Sequence, residues 1–465
     1  MKYFSTRDKS RKYSFKEVFL RGLAPDGGLF VPESIKQFNN KDLLKLKKLN
    51  YSDLATEIIS YFCGNDIDKK KLKNIIEKSY YSFLIENVVS IKSFDKFNIL
   101  ELYHGPTLAF KDVAMQVIGN LYIEFNKNDE KLTNIVVATS GDTGAAAVNA
   151  LKQKKNINLF VLHPHEKISK MQRKIMTSEN FYSSNEESKN IFNLAIKGTL
   201  DDCQNIVKKM FNDNEFRKKV NLSGVNSINW ARIVFQIVYY FYAYFKIAEM
   251  EKINFSVPTG NFGDVYAGYL AKQMGLPINK LIVSTNENDI LQRVINTGEY
   301  KPLKVKPSIS PSMDIQVASN FERLIFDAAN SNDKEVVLLM SDLKKNGSFK
   351  LKRKYLEYIQ KRFYGVKVND IETKKIIKKI YKEYNFLVDP HTAIAIRAQE
   401  KINSDLKTVC LATAHPYKFI ETVEETVGLK MEIPIQASFL GPKEKFEILN
   451  NDLELIKKFI IKKAS

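Results

Sequence analysis

The chain has 465 residues, 44% hydrophobic and 27% charged, which is ordinary for a soluble globular protein. It is too long for one small core, so two or three domains are expected. A net charge of +19 invites a nucleic-acid reading, but the lysines run along the whole length and mostly punctuate amphipathic segments. Residues 374–381, K-K-I-I-K-K-I-Y, show the pattern: apolar residues at helical spacing with lysines opposite. A solvated basic surface is the expectation, with no nucleic-acid partner.

Cys63, Cys203 and Cys410 lie far apart with no C-x-x-C spacing. That speaks against a metal site or disulfide framework and suits a reducing compartment. The first 16 residues have no apolar core of the signal-peptide kind. The most apolar stretch, 233–248, is broken by Gln236 and Lys246 and is too short to span a bilayer. A cytoplasmic protein without membrane partners is expected.

In chain order, residues 1–95 read as a first, mainly helical unit. G-L-A-P-D-G-G at 22–28 is a double turn, and Leu29-Phe30-Val31 a short strand stopped by Pro32. Residues 41–89 have a helical pattern, with a helix start expected at Ser52. The apolar run 99–103 predicts a buried strand, broken by His104-Gly105-Pro106-Thr107. A helix follows, with Lys111 at its mouth. Apolar neighbours and the positive end of a helix dipole disfavour an ammonium there, making Lys111 a candidate nucleophile or base. The commoner alternative for any one lysine is a solvated surface position.

Residues 135–138 predict a buried strand, T-S-G-D-T-G at 139–144 a glycine-rich loop, 145–151 a helix and 158–162 the next strand. This is a βαβ unit whose loop lies where parallel sheets bind anions. The spacing matches neither G-x-G-x-x-G nor a P-loop. Residues 165–230 read as polar and helical, with a turn-rich interruption near 178–187. Arg232 then opens the buried helix, either clamping a phosphate or carboxylate or forming a salt bridge.

A second strand–loop–helix unit spans strand 253–257, P-T-G-N-F-G-D at 258–264, helix 265–274 and strand 281–285. Gly260 and Gly263 allow close backbone approach, and the N–H groups opening the helix suit a dianionic phosphate. Residues 301–314 form a proline-punctuated connection, and 341–386 a basic helical region. Asp389-Pro390-His391 opens another helix. Strand 408–411 delivers A-T-A-H-P at 412–416, and 453–460 pattern a closing helix.

Together, H-G-P-T before Lys111, T-S-G-D-T-G, T-G-N-F-G-D and A-T-A-H-P resemble the threonine synthase family. The resemblance extends to G-L-A-P-D-G-G-L-F, N-S-I-N-W-A-R at 226–232 and D-P-H-T-A-I-A at 389–395. It implies an α/β fold-type II enzyme dependent on pyridoxal 5'-phosphate (PLP). Two parallel-sheet domains, 96–245 and 246–465, would flank the active site beside a helical N-terminal domain, 1–95. Lys111 would be the Schiff-base lysine and proton shuttle. Gly260, Asn261, Phe262, Gly263 and Asp264 would hold the PLP phosphate, Thr413 would face the pyridine nitrogen, and Asp142 would lie near the ring hydroxyl. Thr139, Ser140 and Thr143 would meet the substrate carboxylate or phosphate, and Ser227 with Arg232 its phosphate. No metal is implied.

The implied reaction turns O-phospho-L-homoserine and water into L-threonine and phosphate, in a monomer or homodimer. The alternative is a phospholyase or other fold-type II lyase yielding a keto acid and ammonia. A nucleic-acid-binding protein or an inactive scaffold fits the residues less well. One departure stands out: the family usually has a glycine, a basic residue and I-S-P where this chain has His165-Glu166-Lys167-Ile168-Ser169-Lys170.

Overall fold

The computed structural model describes residues 1–127, 131–178 and 190–464; most of the turn-rich stretch expected at 178–187 lies outside them. Among the described residues two sheets carry the architecture. A six-stranded sheet runs in the order Phe363–Lys367, Ile278–Thr285, Ile253–Pro258, Thr408–Ala412, Asn98–Glu101, Ser90–Ser93. All its pairings are parallel except the last. A five-stranded parallel sheet runs Glu447–Asn450, Ile191–Lys197, Ile157–Pro164, Thr133–Ala138, Leu222–Gly224.

Parallel pairing needs crossover helices, which cover both faces of a sheet. Every residue of Ile157–Pro164 is accordingly buried. Its apolar run Leu159–Leu162, with Asn158 and His163 buried on either side, is the signature of a strand with no solvent face. The strand allocation departs from the expected limits 1–95, 96–245 and 246–465 at three points. Ser90–Ser93 and Asn98–Glu101 pair into the six-stranded sheet, and Glu447–Asn450 crosses back to close the edge of the five-stranded one. A crossover frees spatial order from chain order, so contiguous segments are a poor guide to the sheets.

Local corrections follow the same logic. The helix expected to begin at Ser52 spans Tyr51–Cys63, with Asn50 as its cap, Oδ1 accepting from Asp53 N at 2.8 Å. The regions read as purely helical contain strands Ile191–Lys197, Leu222–Gly224 and Phe363–Lys367. The last two are short and gain their stability from sheet neighbours rather than from their own sequence pattern.

The helix Trp230–Ile247 is buried on all sides from Trp230 to Phe245. It packs against helices Tyr51–Cys63, Lys111–Asn126 and Gly263–Gln273, so one apolar rod joins the N-terminal unit to the helix that starts at Lys111 and to the second strand–loop–helix unit. The N-terminal unit grips the start of that rod through polar ties. Asn229 caps the helix, its Oδ1 accepting from Ala231 N at 3.0 Å, while its amide donates to the carbonyls of Phe19 and Gly224, each at 3.0 Å. Ser223 Oγ donates to Leu20 O at 2.7 Å. Buried Arg323 donates to Phe30 O at 2.9 Å and Ile228 O at 2.7 Å.

Asn229→Ala removes a cap and strands two buried carbonyls, so it should lower unfolding free energy by about 3 kcal/mol. Asn229→Ser keeps the cap oxygen and should cost roughly half as much. Urea unfolding of the two variants beside the parent checks the ranking.

Candidate active site

The strand Asn98–Glu101 and its neighbour Thr408–Ala412 continue beyond their ends as a pair. Leu102 N donates to Ala412 O at 3.0 Å, Phe110 N to Thr413 O at 2.9 Å, and His415 N to Leu108 O at 3.0 Å. This backbone ladder sets Lys111 and Thr413 side by side. Between them the chain turns tightly at Gly105, where an added Cβ would lie 2.5 Å from Asp112 Cβ. Asp112 fastens the turn, accepting from Thr107 N and Oγ1 at 2.7 Å each. Burial pushes the Asp112 carboxyl up to about 6.

The helix Lys111–Asn126 begins at Lys111 with no side-chain cap. Lys111 Nζ lies 3.1 Å from Asp142 Oδ2. Burial first, then the charges of Lys418 and Arg232, pull the lysine below its usual range against the opposing effect of Asp142. The direction is the one expected from the sequence, but buried cations join burial as its cause.

Asp142 is the hub. Its Oδ2 accepts from Lys111 and from Ser312 Oγ at 3.1 Å, and its Oδ1 from Gln172 Nε2 at 3.1 Å. Lys418 Nζ lies 2.7 Å from the same Oδ1. Burial opposes the charged form, yet the two lysines hold the carboxyl well below its usual range. The preceding loop needs glycine: Gly141 has φ +129, and an added Cβ would lie 2.8 Å from Gln172 Cβ. Thr139 Oγ1 accepts from Gly141 N and Gly144 N at 2.9 Å each, shaping the loop from within. Where the family glycine is absent, Glu166 takes φ +58, and Ser169 caps the helix Lys170–Thr177 that presents Gln172. The departure thus keeps the turn and feeds the hub.

Across the cavity, the 258–264 turn ends in helix Gly263–Gln273, whose N-terminus has no side-chain cap. Phe262 sits in the left-handed region at φ +64. Gly260, Asn261, Phe262, Gly263 and Asp264 all line the cavity. The Asp264 side chain is tied down, its Oδ1 accepting from Tyr239 OH at 2.5 Å and Tyr240 OH at 2.8 Å. Burial raises this carboxyl to about 6. An anion in the turn would therefore draw on the uncapped backbone N–H groups, with the carboxyl anchoring the turn to the buried rod.

Thr139, Ser140, Thr143, Ser227, Arg232 and Thr413 line the same cavity. Arg232 is buried; Nη1 donates to Val225 O at 3.1 Å and Nε finds no partner. Among the described residues no carboxylate pairs with it, so of the two readings open from the sequence the salt bridge is not formed. Burial lowers it to about 10. A guanidinium brought so deep without a counter-charge is a seat for an anion.

The sequence reading missed Lys418, Gln172, Ser312 and His391. His391 lines the cavity and is oriented by Asp389, Nδ1 lying 2.6 Å from Oδ2, while Nε2 has no partner. Lys418 was hidden among 72 basic residues. Its one sequence signal is a lysine inside the apolar run Pro416-Tyr417-Lys418-Phe419-Ile420.

These residues fit PLP: an amine of low proton affinity, an uncapped helix N-terminus for a phosphate and a threonine hydroxyl share one cavity. Unpartnered buried atoms of Arg232, Asn226, Gln236, Asp264 and His391 line it as well. Because Asp264 holds its proton more tightly when folded, its contribution to stability is full below about pH 4 and lost as pH rises through about 6. In cofactor-free protein, Asp264→Asn should therefore gain thermal stability relative to the parent at pH 8 but not at pH 4, as melting curves at the two pH values will show.

Family models described as "Threonine synthase N terminus", "Pyridoxal-phosphate dependent enzyme" and "Threonine synthase, C-terminal" match residues 2–80, 97–343 and 392–460. Threonine synthase of Pseudomonas aeruginosa is 41% identical, with 99% of this chain and 98% of that protein covered. Threonine synthase of Saccharomyces cerevisiae is 40% identical, with 98% and 97% covered. The crystal structure of PLP-bound threonine synthase from Brucella melitensis superposes with a TM-score of 0.93 at 39% identity, covering 100% of this chain and 99% of that one. The yeast threonine synthase structure gives 0.89 at 38%, covering 99% and 98%. The chain belongs to the threonine synthase family of pyridoxal-phosphate dependent enzymes.

Proposed function

We propose that the protein is a threonine synthase, a lyase of amino-acid biosynthesis that converts O-phospho-L-homoserine and water to L-threonine and phosphate. The observation carrying this reading is one cavity that joins a lysine of lowered proton affinity to an unpaired, buried arginine.

Lys111 would hold PLP covalently, the 260–264 backbone its phosphate, and Thr413 its pyridine edge, with Asp142 near the ring hydroxyl. When bound, PLP supplies an electron sink for a negative charge developing on the substrate carbons. Lys111 Nζ, free of a proton, accepts one from the substrate Cα and redistributes it. A proton is then lost from Cβ as phosphate leaves Cγ; protons return to Cγ and Cα, and water gives its hydroxide to Cβ and its remaining proton to the phosphate, which balances the overall reaction. Arg232 and Ser227 orient the phosphate and take up the charge that grows on it as it departs. Thr139, Ser140 and Thr143, at the start of helix Asp142–Leu151, lie where a substrate carboxylate or phosphate meets backbone N–H groups. The assembly proposed is a monomer or a homodimer. Three buried, free thiols suit the reducing cytoplasm.

Given phosphohomoserine, the purified protein should release phosphate and threonine in equal amounts. Release of phosphate with a keto acid and ammonia would make it a phospholyase instead. Lys111→Ala should abolish the violet absorbance of bound PLP and cut turnover by about 10³-fold or more. Arg232→Met should lower kcat/KM by about 30-fold or more, measured against the same substrate.

A further inference from the structure

We propose that Lys418 is a positioning residue of this site: a second buried ammonium, bound to the same carboxylate as Lys111, whose charge keeps the Lys111 amine free of a proton. The inference rests on the reading of Lys111 as the reacting amine.

The arrangement is asymmetric. Lys418 is fully buried, and its Nζ lies 2.7 Å from Asp142 Oδ1 while donating to Thr107 O at 2.9 Å. An amine paired this closely with a buried carboxylate is favoured in its charged form. Lys111, by contrast, has 14% of its side chain exposed and lies 3.1 Å from Asp142 Oδ2, an oxygen already held by Ser312 Oγ. Asp142 therefore keeps Lys418, Gln172 and Ser312 as partners when Lys111 turns to other work. A carboxylate facing Lys111 alone would instead hold it as an ammonium.

The other charges around the pair agree. Arg232 faces Lys111 from helix Trp230–Ile247 and adds a third cation. Asp264 faces it from helix Gly263–Gln273, but burial raises that carboxyl to about 6 and weakens its pull near that pH. Asp112, near Lys418 and Asp142, is likewise raised to about 6 by burial. His415, in reach of Lys418, is lowered to about 4, first by burial, and carries no charge at neutral pH. Asp264 and Asp112 are largely ionised at neutral pH, but of these carboxylates it is Asp142 that bonds Lys111, and it shares its charge with the more deeply buried Lys418, so Lys111 is the amine that gives up its proton.

Lys418 also staples the loop before Lys111 to the loop after Thr413, so a purely structural role is the competing explanation. The test reads proton affinity without turnover. Lys111 in the cofactor-free protein is labelled competitively with acetic anhydride across pH, and its peptide is quantified by mass spectrometry. Lys418→Met should raise the labelling midpoint of Lys111 by about one pH unit or more, a tenfold gain in proton affinity. Lys418→Arg, which keeps the charge, should leave the midpoint where the parent has it. An unmoved midpoint in Lys418→Met, with a parental circular dichroism spectrum, would overturn the proposal. So would a fall of about one unit in Lys418→Arg, because position 418 would then carry no charge in the parent. If the methionine variant does not fold, Lys418→Gln, which also removes the charge, is read in its place with the same two outcomes. Failure here leaves the reading of Lys111 intact, since that is judged separately by Lys111→Ala.

Discussion

One carboxylate between two lysines organises this site. Asp142 opens its helix, takes Lys111 on one oxygen and Lys418 on the other, and accepts further bonds from Gln172 and Ser312. Five separate chain segments meet at that side chain: the helix after H-G-P-T, the glycine-rich loop, the helix after the 165–170 turn, the connection near 312 and the turn after Thr413. Bringing such charges out of water is costly unless they are fully paired and bonded. Burial, and the sharing of this anion with Lys418 beside Arg232, leave Lys111 with a weakened hold on its proton.

The second constraint is the deep placement of Arg232. It needs the buried helix Trp230–Ile247, and that helix start is held by carbonyls of the N-terminal unit through Asn229, and by Arg323 bridging Phe30 and Ile228. The first 95 residues thus acquire a physical purpose beyond bulk. They fix the segment that presents Ser227 and Arg232, while contributing no side chain to the lining of the cavity.

Much of this was legible in the amino-acid string. Both βα units, the mouth position of Lys111 and the buried helix after Arg232 follow from apolar runs and glycine punctuation, which are local signals. Strands such as Leu222–Gly224 and Glu447–Asn450 were not legible, because three or four residues have no period of their own and owe their form to neighbours far along the chain. Lys418 escaped for a related reason. Its meaning comes from Asp142 and Thr107, both about 300 positions away, and a lysine-rich background masks the unusual apolar setting. The odd 165–170 loop was visible, but not its remedy, a left-handed Glu166.

The edge strand Glu447–Asn450 pairs with Ile191–Lys197 across a gap running from 197 to 447 in the sequence. On a ribosome, the five-stranded sheet must wait with that flank bare until residue 450 has emerged. An unpaired parallel edge attracts other strands. Loss of Glu447–Asn450 would therefore bare this edge and harm solubility, while leaving the cavity's lining residues in place.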